Sequence, residues 1–244
     1  MREKINVLGV QVDTFDMDGA CSFLADAIEK GEFCPVYTPN SEIILHAYKN
    51  PEYADLLNQG GLVTPDGIGV VYASKILKKP LRERVGGFDL ANKLLEKCAP
   101  DGRTLYLFGG KPGIAERAKE KIEALYPGIE VVGTADGYFD EEKEKNIIND
   151  INEKSPDILF VCLGFPKQEK WADANRNLSA RVVMCIGGSL DVFAGEVKRA
   201  PEFFIKLGLE WLYRLLCQPS RFIRMLALPK FGFTVLFHGR KFLK

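Results

Sequence analysis

The sequence predicts an α/β fold: a Rossmann-like, largely parallel sheet flanked by helices, with a C-terminal helical appendage. Two observations carry that expectation. Short apolar runs alternate with longer amphipathic ones up to about residue 195, the pattern of βα units around a sheet covered on both faces. From residue 196 the chain becomes basic, aromatic and helix-patterned. The expected division is therefore 1–195, an α/β body, and 196–244, the appendage.

The elements follow in order. The apolar run 5–10 predicts a strand. Asp16 then stands where an N-cap belongs, ahead of a helix to about Lys30 that Gly31 closes. Strand 35–38 leads to Asn40 or Ser41, either of which caps a helix ending near Asn50, and Pro51 opens a short helix at its first position. Strand 61–64 is followed by helices over 67–77 and 88–98. Strands 104–108, 130–133, 158–163 and 182–186 alternate with helices 113–125, 141–154 and 166–178. In the appendage, a helix over 202–217 stops before Pro219, and a second, over 220–228, stops before Pro229.

The 33 basic and 33 acidic side chains cancel, which argues against a generic nucleic-acid binder. The balance hides a split: residues 196–244 hold ten Lys+Arg and three Asp+Glu, a net +7, so the body carries −7. Beyond Glu210 there are seven basic residues, seven aromatic ones and no acidic residue. Such a segment suits an anionic membrane surface; the alternative is packing on the body or on a second copy in a homo-oligomer. Its longest apolar run, 225–237, is interrupted by Pro229 and Lys230 and falls short of the ~20 residues a spanning helix needs. The N-terminus lacks the apolar core of a signal peptide, and the six cysteines include no C-x-x-C pair. Both point to buried, reduced thiols in the cytoplasm.

Ligands of open α/β sheets bind outside the carboxyl ends of the strands, and here those positions are polar and glycine-rich. Thr38 and Asn40 follow one strand, and Asp66, between Pro65 and Gly67, follows the next. Asp66 reads either as a general base or as a helix cap. The run Phe108-Gly109-Gly110-Lys111-Pro112-Gly113 is either a phosphate cradle or a tight strand-to-helix turn. Arg82 and Arg84, around Glu83, suit a diphosphate or plain solvation. Gln168 is placed to read a sugar or base, whereas its neighbours Lys167 and Glu169 are expected in solvent. With two histidines, His46 and His238, neither Ser-His-Asp catalysis nor a histidine-rich metal site is supported. Asp16-Met17-Asp18 formally reads D-x-D, but its place at a helix start makes it a cap. A nicotinamide oxidoreductase would need a dinucleotide fingerprint that is missing, and a non-catalytic peripheral membrane protein would leave the polar loops unexplained.

Taken together, Thr38-Pro39-Asn40, Pro65-Asp66-Gly67-Ile68-Gly69-Val70, Glu83-Arg84-Val85, Leu107-Phe108-Gly109-Gly110, Pro166-Lys167-Gln168-Glu169, Gly187-Gly188 with Asp191 and Ala194-Gly195, Arg199-Ala200-Pro201, and Gly208-Leu209-Glu210-Trp211 with Arg214 resemble the WecG/TagA/CpsF glycosyltransferase family, over nearly the whole chain. The resemblance implies an inverting, metal-independent transfer of an N-acetylmannosamine-type sugar from a UDP-sugar to a polyprenyl-diphosphate-linked N-acetylglucosamine, on the cytoplasmic face of the membrane, as in wall teichoic acid synthesis. It implies Asp66 as the base and Thr38 and Asn40 as holders of the sugars. It further implies Arg84 against the diphosphate, and Gln168, Gly109, Gly110 and Asp191 around the substrate. Arg214, Arg221 and Arg224 would clamp the lipid diphosphate. No cofactor is implied. Gln218 departs from the expected pattern, where the family usually carries Glu.

Overall fold

The computed structural model describes residues 2–217, Pro219 and 222–242, the side chains of Lys206, Arg214, Ile223 and Arg224 excepted. Its centre is a six-stranded parallel sheet in the order β4-β3-β8-β7-β5-β6. The strands are β3 (Cys34–Tyr37), β4 (Leu62–Val63), β5 (Thr104–Gly109), β6 (Glu130–Ala135), β7 (Ile158–Cys162) and β8 (Val182–Cys185). Alternate side chains divide between two cores. Val36, Leu107, Phe160 and Met184 face α1 (Met17–Lys30), α5 (Gly87–Cys98), α6 (Ile114–Leu125) and α9 (Ser189–Phe193). Tyr37, Phe108, Val161 and Val183 face α2 (Ser41–Lys49), α3 (Pro51–Asn58), α4 (Ile68–Ile76), α7 (Glu141–Lys154) and α8 (Lys167–Ala174). Burial on both faces is why these strands read as unbroken apolar runs.

Local signals explain most element ends. The Asp16 carboxylate accepts from Gly19 N–H at 2.9 Å, and Gly31, in the left-handed region at φ 67°, closes α1. That places the D-x-D motif at a helix start; the Gly19 amide, and then Arg82, hold the Asp16 carboxyl below its usual value. Asn40 caps α2, its Oδ1 accepting from Glu42 and Ile43 N–H at 2.9 and 3.1 Å.

Two expected boundaries are corrected. The run 5–10 is not one strand: β1 (Lys4–Val7) and β2 (Val10–Asp13) form a separate antiparallel hairpin. Leu8 and Gly9 turn the chain with φ of 55° and 100°, the positive pair that a two-residue hairpin loop demands, and Asn6 Oδ1 holds Gly9 N–H at 2.8 Å. Nor is Pro229 what stops a helix: α12 (Phe222–Met225) already ends at Met225. Helix α13 (Ala227–His238) begins two residues before the proline, so Pro229 sits in the first turn, where a missing N–H removes no helical hydrogen bond.

The C-terminal region has two parts. Helices α10 (Glu202–Lys206) and α11 (Glu210–Cys217), parted at Gly208 with φ 70°, and α12 (Phe222–Met225) run along the carboxyl edge of the sheet. Helix α13 instead packs on α2 and α4, with Phe231 and Val235 buried in the second core. A closing 3-10 turn, Gly239–Phe242, brings Phe242 against Tyr48 and Gly9. Among the described residues, no helix is long and apolar enough to cross a membrane.

Candidate active site

A cleft of about 220 Å³ opens beyond the carboxyl ends of β3, β4 and β8. Asn40 and Asp66 line it from the loops after β3 and β4, Arg84 from the turn between α4 and α5, Gly188 from the loop after β8, and Glu210 and Trp211 from the appendage. The loops are tied to one another through the backbone: Asp66 N–H donates to Pro39 O at 3.3 Å and Val85 N–H to Pro65 O at 3.0 Å. After Asp66 the chain must turn at φ 97° and ψ 144°, and Gly67 alone can do so without strain. Helix α4 starts only at Ile68 and has no side-chain cap, so the Asp66 carboxylate is not occupied as the cap of that helix. Its Oδ2 lies 3.4 Å from Gly87 N at the start of α5, and its Oδ1 3.6 Å from Arg84 Nη1. The group is thus fixed from two sides and still borders the cleft.

Arg84 is the hub of the cleft's charges. Its Nη1 donates to Glu210 Oε2 at 3.0 Å and faces Asp66, while its Nη2 pairs with Asp89. Burial opposes the guanidinium charge, yet the carboxylates of Asp66, Asp89 and Glu210 outweigh it and raise the pKa above its ordinary value. Asp89 in turn holds Arg199, whose guanidinium lies 5.2 Å from the Phe88 ring centre. Among the described side chains of this network, two cations therefore face three carboxylates. Glu210, 126 residues along the chain from Arg84, is one of the points at which the appendage is tied to the body.

The other expected site residues are placed unequally. Asn40 borders the cleft while its carbonyl oxygen caps α2. Thr38 lies just beneath, buried, donating its hydroxyl to Cys185 O at 3.0 Å and so tying β3 to β8. Gly109 and Gly110 do not border the cleft. A Cβ on Gly109, at φ 133°, would stand 2.3 Å from Cys162 O, so close approach to β7 requires glycine there. Asp191, half-buried on α9, is likewise not part of the lining. Arg82 turns outward to Asp16 at 2.9 Å. Arg221 and Gln218 lie outside the described residues, as do the side chains of Arg214 and Arg224.

Helix α8 brings a correction. Lys167 is exposed, its ammonium 3.8 Å from the Phe139 ring centre, but Glu169 is not in solvent: it is 1% exposed. The helix turns residues 168 and 169 inward together, and Gln168 is 3% exposed. Its amide is fully engaged within the protein, Oε1 accepting from Gly164 and Gly187 N–H and Nε2 donating to Glu169.

Asp89 and Glu210 were not among the expected site residues, and Arg199 and Trp211 were expected only as part of the basic, aromatic tail. Glu210 had two legible signals, as the last acidic residue of that tail and as part of a segment that carries the family resemblance. Among the described residues, no group of three His, Cys, Asp or Glu side chains is arranged to hold a metal ion.

The chain is 42% identical over 212 residues to an N-acetylglucosaminyldiphosphoundecaprenol N-acetyl-beta-D-mannosaminyltransferase of Bacillus spizizenii, covering 86% of this chain and 81% of that one. It is 39% identical over 202 residues to the protein of that name in Bacillus subtilis, covering 82% and 78%. A Staphylococcus aureus protein of the same name is 35% identical over 246 residues, covering 99% and 95%. The glycosyl transferase WecG/TagA/CpsF family model matches residues 5–243, and with Asp66, Arg84 and Glu210 gathered at one sheet edge, the chain belongs to that family.

Proposed function

We propose that the chain is an inverting glycosyltransferase that moves N-acetylmannosamine, or a related aminosugar, from a UDP-sugar to polyprenyl-diphosphate-linked N-acetylglucosamine, as in wall teichoic acid linkage-unit synthesis. The observation that carries this reading is the Asp66 carboxylate, held by a glycine turn at the border of a cleft whose far wall is the basic appendage. The names of the similar bacterial enzymes supply the donor and acceptor classes.

The acceptor hydroxyl attacks the anomeric carbon from the face opposite UDP. The new C–O bond forms as the bond to the diphosphate breaks, UDP leaves with the electron pair, and Asp66 takes the hydroxyl proton. Cationic side chains, rather than a metal ion, stabilise the departing diphosphate. Arg84 reaches it by exchanging Glu210 for a phosphate oxygen, since Nη1 and Nη2 both face carboxylates. The cleft's ~220 Å³ is below the roughly 300–1,000 Å³ of ligand pockets, so the Glu210–Trp211 wall shifts to admit both substrates. Arg214, Arg221 and Arg224 then meet the lipid diphosphate. Phe203, Phe222, Phe233 and Phe237, all exposed, are the aromatic groups a membrane interface would bury. The enzyme we propose acts peripherally, on the cytoplasmic face of the membrane.

The test is UDP release from a panel of UDP-sugars, with and without a lipid-diphosphate-linked N-acetylglucosamine, and the mass of the product. Acceptor-dependent release with one added aminosugar is the expected result. Tight binding of NAD with no acceptor-dependent consumption of any UDP-sugar would overturn the proposal.

A further inference from the structure

Glu169 is a buried carboxyl that the proposed chemistry does not use. It lies on α8, beneath the loops that follow β7 and β8, and its Oε1 accepts from Gln168 Nε2 at 2.8 Å. The opposite end of that amide, Oε1 of Gln168, accepts from two backbone donors: Gly164 N–H at 3.2 Å in the β7 loop and Gly187 N–H at 3.0 Å in the β8 loop. Both glycines are in the left-handed region, at φ 76° and 58°, and a Cβ on either would touch nothing within 4 Å. The shared amide oxygen links these two positions, and Gly164 is also held through its carbonyl, which accepts from Gln168 N–H at 3.0 Å. Gly187 stands between Ile186 and Gly188, both of which line the cleft.

An amide has two nearly isosteric ends, and only the oxygen can receive two N–H donors. The two backbone donors already favour the oxygen at that end, and Glu169 locks the choice from below by holding Nε2. A flipped amide would set its NH₂ against two backbone N–H groups and its oxygen against the oxygen of Glu169; without Glu169 the second penalty goes, and the amide loses its anchor. Burial pushes the Glu169 carboxyl up, partly offset by the bond from Gln168. Tyr53 on α3, whose buried hydroxyl faces the Glu169 carboxyl, Tyr37 on β3 and Cys185 on β8 are the titratable groups around it among the described residues.

We infer that Glu169 is a positioning residue: by fixing the orientation of the Gln168 amide, it sets the β8-loop wall against which the reacting sugar lies. The inference rests on the glycosyl-transfer reading for its kinetic arm only. Wild type, Glu169→Ala and Glu169→Gln are compared in two measurements, both well below each variant's melting temperature. Amide hydrogen exchange at Gly164 and Gly187 is expected to accelerate about tenfold or more in Glu169→Ala and to remain near wild type in Glu169→Gln, whose side-chain oxygen still accepts from Gln168. In UDP release, kcat is expected to fall about 10- to 100-fold in Glu169→Ala with donor KM within about threefold, and Glu169→Gln to restore most of it. Unchanged exchange in Glu169→Ala would overturn the inference, as would faster exchange with undiminished kcat, or a Gln variant as impaired as Ala. If the wild type released no UDP, the glycosyl-transfer reading would fall, and the exchange arm would still decide whether Glu169 orients the loops.

Discussion

Replacing Arg84 by Gln leaves three carboxylates, Asp66, Asp89 and Glu210, facing a neutral amide. In the native network, Nη1 is 3.0 Å from Glu210 and 3.6 Å from Asp66, and the Arg84 side chain is 22% exposed. At an effective dielectric near 20, one unit pair at ~4 Å gives about 4 kcal/mol. Desolvation of the ions and partial solvent access remove about half of that, and the surviving Arg199 continues to compensate Asp89. A net destabilisation of about 2 kcal/mol is expected, which for a chain of this size lowers Tm by about 4–8 °C. The assay is thermal unfolding of wild type and Arg84→Gln in low and high NaCl. Because the loss is repulsion among like charges, salt should recover part of it in the variant and leave the wild type little changed. UDP release should fall about 100-fold or more. A variant with wild-type Tm and no added salt response would refute the idea that Arg84 holds these carboxylates together.

Phe231→Ala, which empties a buried position where α13 meets the body, should cost about 3 kcal/mol in denaturant unfolding. A loss under about 0.5 kcal/mol, the size of a surface substitution, would mean that α13 is not part of the core. Glu169→Gln should flatten one limb of the stability–pH curve. The folded-state pKa of Glu169 is raised above its unfolded value, so the native state holds the extra proton and stability falls as pH rises through that interval. Subtracting the variant's curve from the wild type's isolates this term; a difference curve that rises with pH would contradict the assignment.

What the sequence made legible was local. Asp16 and Asn40 were readable as caps because a capping side chain acts on amides two or three residues away, and the strands because both faces of the sheet are covered. Asp66 and Asn40 were readable as candidates because strand-end loops are where such folds bind ligands, and Arg84 because an arginine pair in a turn suits a diphosphate. The Leu8–Gly9 turn was hidden by a leucine at positive φ inside an apolar run. Pro229 misled because a proline ends a helix or opens one depending on where the first turn falls. The inward turn of Glu169 depends on α3, β3 and β8 enclosing it, and the Arg84–Glu210 bond on bringing together residues 126 apart. Neither follows from spacing, since both are set by how helices pack over the sheet edge.

The most direct test of Asp66 as the base is Asp66→Asn, an isosteric change that keeps the group's shape and removes its capacity to take a proton. Calorimetric titration with UDP and acceptor-dependent UDP release should be measured on the same preparation. UDP affinity within about threefold of wild type, with kcat lowered about 10²- to 10⁴-fold, is the expected result. Full turnover by Asp66→Asn, with binding intact, would show that another group accepts the proton.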